Sequence, residues 1–265
     1  MLGPHTLRLR PRENHELRIE SSLLTITPTA TLRWHRDVED NSVAIASFNT
    51  PTNQLVIESE VVIQQYNLAP LDFLIADYAV NYPFVYTPED WTVLVPYTDI
   101  TNQAVSDVFA EWIANLWHSE EQLQTYELLQ RINTRIQQTV SYQHREEPGV
   151  QSASETLTNG TGSCRDLANL FMESVRHLGF ASRFVSGYLH ADPSDFNFGS
   201  THAWSEVFLP GAGWKGFDPT IGKIVGTDHI AVAVARSPEL VPPVDGSFVG
   251  PTGASLDVGV WVSNL

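Results

Sequence analysis

Gly160-Thr161-Gly162-Ser163-Cys164-Arg165-Asp166-Leu167 contains the only cysteine of the chain. Leu167, Leu170, Phe171, Val175 and Leu178 follow it at helical spacing. The spacing predicts a helix that begins at the cysteine and ends at Gly179, since glycine accepts the left-handed conformation of a C-terminal cap. Ser163 is placed as the N-cap, and Asp166 as a carboxylate that supports the first turn. A thiol in a first turn meets unpaired backbone N–H groups and the positive end of the helix dipole. Both favour the thiolate, the nucleophilic form.

The residues that complete such a site lie downstream. Thr201-His202-Ala203-Trp204-Ser205-Glu206-Val207-Phe208-Leu209 reads as a strand starting near a histidine. Pro210-Gly211-Ala212-Gly213 reads as a turn, and Trp214-Lys215-Gly216-Phe217-Asp218 as the return strand. Cys164, His202 and Asp218 thus fit nucleophile, base and orienter. His202 and Asp218 cooperate only if both side chains leave the same face of the hairpin. Directly opposed residues share a face, so paired positions must sum to an even number, with Trp204 opposite Asp218. The loop then has about three or five residues, a common hairpin class. Trp204 and Trp214 either line the cleft or pack beneath the hairpin.

GTGSCRDLANLFMESVRHLGFASRFVSGYL and STHAWSEVFLPGAGWKGFDPT resemble the transglutaminase-like superfamily of cysteine enzymes. SYQHREEPGVQSASETL and VPPVDGSFVG are similar to its bacterial branch, and LGPHTLRLRPR onward resembles the β-rich N-terminal domain of that branch. Met1 falls close to what looks like the second strand of that domain, so an initial strand is expected to be missing. The resemblance implies an α+β fold: an antiparallel β domain over residues 1–96, then a papain-like catalytic core over 97–265 with helices packed on an antiparallel sheet. It also implies a catalytic triad of Cys164, His202 and Asp218 acting through a thioester. Water resolving that thioester makes a protease or amidase; an amine makes a transglutaminase; a binding scaffold would keep the fold without the chemistry. Hydrolysis is the expectation, because water is always present. The Cys164 backbone N–H is the expected oxyanion donor, with Gln151 or Tyr142 as candidates for the second.

Composition narrows the partners. A net charge of −16 disfavours nucleic acid and anionic membranes and would suit neutral or basic peptides; the resemblance implies a peptide or protein substrate. One cysteine excludes internal disulfides and a multi-cysteine zinc site, including the one that related peptide glycan amidases carry. His5, His15 and His35 lack ligand spacing, and no cofactor or metal is expected. No secretory signal and no membrane-spanning run is visible, so a cytoplasmic bacterial protein is expected.

Along the chain, Leu7 and Leu9, Leu17 and Ile19, Leu24 and Ile26, Val43 to Phe48 and Leu55 to Ile63 alternate as strands. Pro70 to Pro96 is read as a crossing whose aromatics pack. Two antiparallel helices are predicted next. The first spans Asn102 to Trp117, with Val105, Val108, Phe109, Trp112, Ile113 and Leu116 on one face. The second starts at a Ser119/Gln122 capping box. Glu146, Glu147 and Glu155 read as a solvated loop. Ser182 to Leu189, Ile230 to Val234 and Leu256 to Val262 are further predicted strands, and the loop Ala191 to Ser200 should rim the site.

Overall fold

The computed structural model describes residues 1–66, 69–100, 106–191, 199, 201–251 and 253–264. The front of the chain is strand-rich, as alternation predicts: β1 (Leu2–Leu7), β2 (Leu17–Thr27), β3 (Thr31–Arg36), β4 (Ser42–Ser47) and β5 (Val56–Gln65). β2 and β5 form a long antiparallel ribbon, with a register shift between Ile19 and Ser21. A one-residue bulge reverses which parity faces inward. That is why the apolar positions switch from odd (Leu17, Ile19) to even (Leu24, Ile26) within one strand.

The crossing holds β6 (Asn81–Tyr82) and α1 (Pro88–Leu94). Its aromatics pack: Tyr82 stacks on Phe180 with ring centroids 5.2 Å apart, and Tyr86 donates its hydroxyl hydrogen to the Phe208 carbonyl at 2.9 Å. α2 covers Asp107–Ala114, capped by Ser106, whose hydroxyl accepts the Phe109 N–H. This is shorter than the spacing predicts. The helix stops before Trp117, whose indole donates to the Glu121 carbonyl, and Val108 faces solvent rather than the core. Asn102 and Val105 lie outside the described residues.

β7 (Leu123–Gln124) pairs with β6, and α3 (Thr125–Thr139) follows directly. The predicted Ser119 cap is therefore corrected. Residues ahead of Thr125 are drawn into a turn and the β6 pairing, and Thr125 hydrogen-bonds to the Ala79 carbonyl instead. Leu129, Ile132 and Ile136 lie on the buried side of α3.

β8 (Ser141–Tyr142), α4 (Ala153–Asn159) and β9 (Thr161–Gly162) lead into α5 (Cys164–His177). After α5, Gly179 has φ +88°, its N–H donates to the Arg176 carbonyl, and Phe180 N–H reaches the Val175 carbonyl. This is the hydrogen-bond pair of a glycine-terminated helix, as the sequence predicts. α5 is buried on all sides from Asp166 to Arg176. Leu167, Leu170, Phe171 and Val175 share one core cluster with Leu129 and Ile132 of α3 and with Val207 and Phe217 of the sheet, while Ala168 and Met172 join Phe184, Ala203 and Ala233.

That sheet has five strands in the order β13-β12-β11-β10-β14. They are β10 (Ser182–Leu189), β11 (His202–Leu209), β12 (Gly213–Asp218), β13 (Lys223–Ile224) and β14 (His229–Ala235). Every pairing in it is antiparallel. Helices packed on an antiparallel sheet behind a strand-rich region make the α+β architecture expected.

The predicted strand at Leu256 to Val262 is corrected. Only an isolated bridge between Val260 and Gly199 occurs there. The chain instead forms β15 (Val244–Phe248), which pairs with β1 in a second sheet of order β15-β1-β4-β3. All five residues of β15 are exposed, so no buried face imposed an alternating pattern on them. Among the described residues, no helix is long and apolar enough to cross a membrane.

Candidate active site

Cys164 is the first residue of α5 and is partly exposed. The turn beneath it is organised by Asp166. The Ser163 N–H and hydroxyl both donate to Asp166 Oδ2 at 2.8 Å. The Gln151 N–H donates to Oδ1 at 2.8 Å, and Arg145 Nη1 donates to both oxygens at 2.7 and 2.8 Å. Burial would raise the Asp166 pKa, but Arg145 and these donors hold it below the ordinary carboxylate value. The helix-start role given to Asp166 is what the structure has. Arg145 went unread as its partner, because ion pairing across 21 positions leaves no local pattern. Of the three glutamates, Glu147 is exposed and Glu155 caps α4 through Ser152.

The hairpin register follows the parity expectation. Ser205 pairs with Phe217 and Leu209 with Gly213, around the three-residue loop Pro210–Ala212. Paired positions sum to 422 (205 + 217, 209 + 213), an even number, and the next step of the register sets Trp204 opposite Asp218. His202 and Asp218 therefore leave one face, and His202 Nε2 meets Asp218 Oδ2 at 2.7 Å. Both side chains are fully buried.

Burial would lower the His202 pKa. The Asp218 carboxylate, aided by the Cys164 sulfur, outweighs it and pushes the pKa up to about 10. The same pairing, with a further hydrogen bond from His229, carries Asp218 far below the ordinary carboxylate value against its burial. Asp218 occupies Nε2, so Nδ1 is the ring nitrogen left for Cys164. Among the described residues Nδ1 has no hydrogen bond of normal geometry, while the electrostatics couple the sulfur to the ring. Sulfur and ring thus interact without a hydrogen bond of normal geometry at Nδ1, as is common before substrate tightens a site.

One residue of this cluster escaped the sequence reading. His229 opens β14, and its Nε2 meets the same Asp218 Oδ2 at 3.0 Å. Its position at the start of a predicted strand was the only signal, shared with any polar residue. His202, Asp218 and His229 place their donor atoms within 4.8 Å of one another, which raises the question of a metal. Ligands around a tetrahedral zinc at about 2.0–2.1 Å would be spread about 3.3 Å apart. The observed 2.7 and 3.0 Å suit N–H···O bonds better.

Trp204 packs beneath the hairpin, fully buried, with its ring centroid 5.2 Å from that of His229. Trp214 lies away from the triad, under the Arg183 guanidinium at 4.3 Å and against Tyr97 and Phe208. Tyr142 responds to Cys164. Burial first, then the negative charge of the thiolate, push its pKa up to about 12. Gln151 is tied by its backbone to Asp166 and Asn169. Most of the Ala191–Ser200 loop lies outside the described residues.

Comparison with known proteins adds an independent line. Residues 116–219 match the model of the transglutaminase-like superfamily, and residues 1–64 that of the bacterial transglutaminase-like N-terminal region. An uncharacterized protein of Mycobacterium tuberculosis is 29% identical over 174 residues, 62% of this chain and 55% of its own length. One of Mycobacterium leprae is 34% identical over 122 residues, 44% of this chain and 43% of its own. The chain thus spans about half the length of these curated relatives. A crystal structure from Cytophaga hutchinsonii, described as a candidate cysteine protease, superposes with a TM-score of 0.72 at 19% identity. It covers 93% of this chain and 81% of its own, a likeness of fold.

Proposed function

This chain belongs to the transglutaminase-like superfamily, by its core at residues 116–219 and its N-terminal region at 1–64, and on that footing we propose that it is a thiol-dependent amide-bond hydrolase acting on a peptide or protein. The observation that carries this reading is the His202–Asp218 contact of 2.7 Å, with the Cys164 sulfur coupled to the same ring. The Cys164 thiolate, whose proton already sits on the His202 imidazolium, attacks the amide carbonyl, and the S–C bond forms as the carbonyl π bond opens onto oxygen. His202 returns that proton to the leaving amine as the C–N bond breaks. Asp218 holds the tautomer and stabilises the imidazolium. Water then opens the thioester, which releases a carboxylic acid and restores the thiol. The backbone N–H of Cys164, at a helix start, is the oxyanion donor. Tyr142, kept protonated and sensitive to Cys164, is the better supported of the two candidates for the second donor.

The test is incubation with a peptide library, with and without a primary amine, read by mass spectrometry. Cleavage products that vanish in Cys164→Ala and His202→Ala support hydrolysis. Amine adducts in place of cleavage would move the assignment to a transglutaminase. Binding without turnover would leave a scaffold.

A further inference from the structure

We propose that His229 is a positioning residue for this reaction, a second imidazole that bonds the same oxygen of the Asp218 carboxylate as His202 does. The inference rests on the triad reading above and extends it by one residue. Its ground is a closed chain of hydrogen bonds. The Gly226 N–H donates to His229 Nδ1 at 3.3 Å, so that nitrogen carries no proton, and the ring proton sits on Nε2. Nε2–H then has one acceptor, Asp218 Oδ2 at 3.0 Å. The other carboxylate oxygen, Oδ1, accepts the Thr220 N–H at 2.9 Å. Asp218 is therefore fixed at both oxygens before it meets His202.

The setting of His229 serves that role. Its side chain is nearly buried, and Trp204 covers it edge to face. Its ring meets Asp218 Oδ2 beside His202, the two ring centroids 6.1 Å apart. Its backbone carbonyl accepts Gln65 Nε2 from β5. Further along the same strand, the Arg12 N–H donates to the Ala231 carbonyl, and Asn41 bonds both backbone groups of Val234. The outer edge of β14 is thus clamped by the N-terminal region, and the strand presents His229 at a set height. A fully buried carboxylate needs such donors to stay ionised. One that loses a donor stabilises the His202 imidazolium, and through it the Cys164 thiolate, less well.

The experiment is iodoacetamide labelling of Cys164 across pH, in the full chain and in His229→Ala, His229→Gln and His202→Ala. Glutamine carries its amide nitrogen as many bonds from Cβ as Nε2 of histidine, and donates from there. His229→Ala should move the midpoint of the labelling profile up by about one pH unit, which slows labelling about tenfold at pH values well below the midpoint of the unsubstituted protein. His229→Gln should recover most of that loss. Equal loss in both variants would reduce His229 to packing and overturn the inference. Loss in His202→Ala with none in His229→Ala would overturn it while leaving the triad intact. No loss in either would remove the triad and the inference together. Should His229→Ala fail to fold, ring ¹⁵N correlations of the unsubstituted protein decide, assigned by the signal absent from His229→Gln. An Nε2–H tautomer supports the proposal, and an Nδ1–H tautomer overturns it.

Discussion

Cys164 and Asp166 stand two residues apart with opposed electrostatic demands. A thiolate at the helix tip is helped by the dipole and opposed by any carboxylate nearby. Arg145 resolves the conflict by bonding both oxygens of Asp166. Arg145→Met should therefore do two things. It breaks a largely buried ion pair and should lower stability by about 3 kcal/mol, measured by urea denaturation. It also leaves a negative charge beside Cys164, so labelling below pH 7 should slow. His202 supplies a pH signature of its own. Its folded pKa is raised from an ordinary value of about 6.5 to about 10. The stability this contributes is fully present below about pH 6.5 and is lost as pH rises towards 10. The difference in melting temperature between the protein and His202→Gln should shrink across that interval. A constant difference would contradict a His202–Asp218 ion pair.

At the scale of elements, a strand interior depends on a missing side chain. Gly187 on β10 pairs with His202 on β11 and Ala231 on β14, at a point where the β10–β14 register shifts. A Cβ there would come within 2.6 Å of Trp204 Cη2 and closer still to the Ile230 carbonyl. Glycine thus lets the indole lie flat against the sheet, where it backs both histidines. Gly187→Ala should destabilise the fold by about 1–3 kcal/mol, the usual range for overpacking. It should also slow Cys164 labelling, since displacing Trp204 disturbs His202 and His229 together. Unchanged labelling at reduced stability would separate the packing role from the site. Parity was legible here because pleat alternation and a three-residue loop are local properties. Helix starts were less so: α3 begins at Thr125 rather than after Ser119, because Ser119 lies in a turn and the β6 pairing holds Leu123 and Gln124 ahead of the helix.

Across the whole molecule, the N-terminal region meets the five-stranded sheet along its β14 edge. Asn41 is buried and gives both amide groups to the Val234 backbone at 2.8 Å, doing for β14 what a neighbouring strand would do. Asn41→Ala should leave two buried backbone groups unpaired and cost about 3 kcal/mol, read as a lower denaturant midpoint. A loss confined to the N-terminal strands, with the catalytic sheet unaffected, would show that the clamp is not shared. The return of β15 to β1 closes the other connection between the ends of the chain. Neither link was visible beforehand. Asn41 belongs to a polar turn cluster, and β15 has no buried face to mark it as a strand.

What the chain itself determined is what neighbouring residues encode: a cysteine at a helix start, a glycine at its end, and a hairpin whose parity brings His202 and Asp218 to one face. Periods of 3.6 and 2 and the conformational needs of turns are set within a few residues, so they survive reading in one dimension. Only the tertiary structure decided that Arg145 answers Asp166, that His229 joins Asp218 and that Asn41 secures β14. Those contacts join polar groups, one of them the backbone of Val234, on residues 21, 11 and 193 positions apart. They depend on strand order and on a buried polar group's need for a partner, neither of which leaves a periodic mark on the sequence.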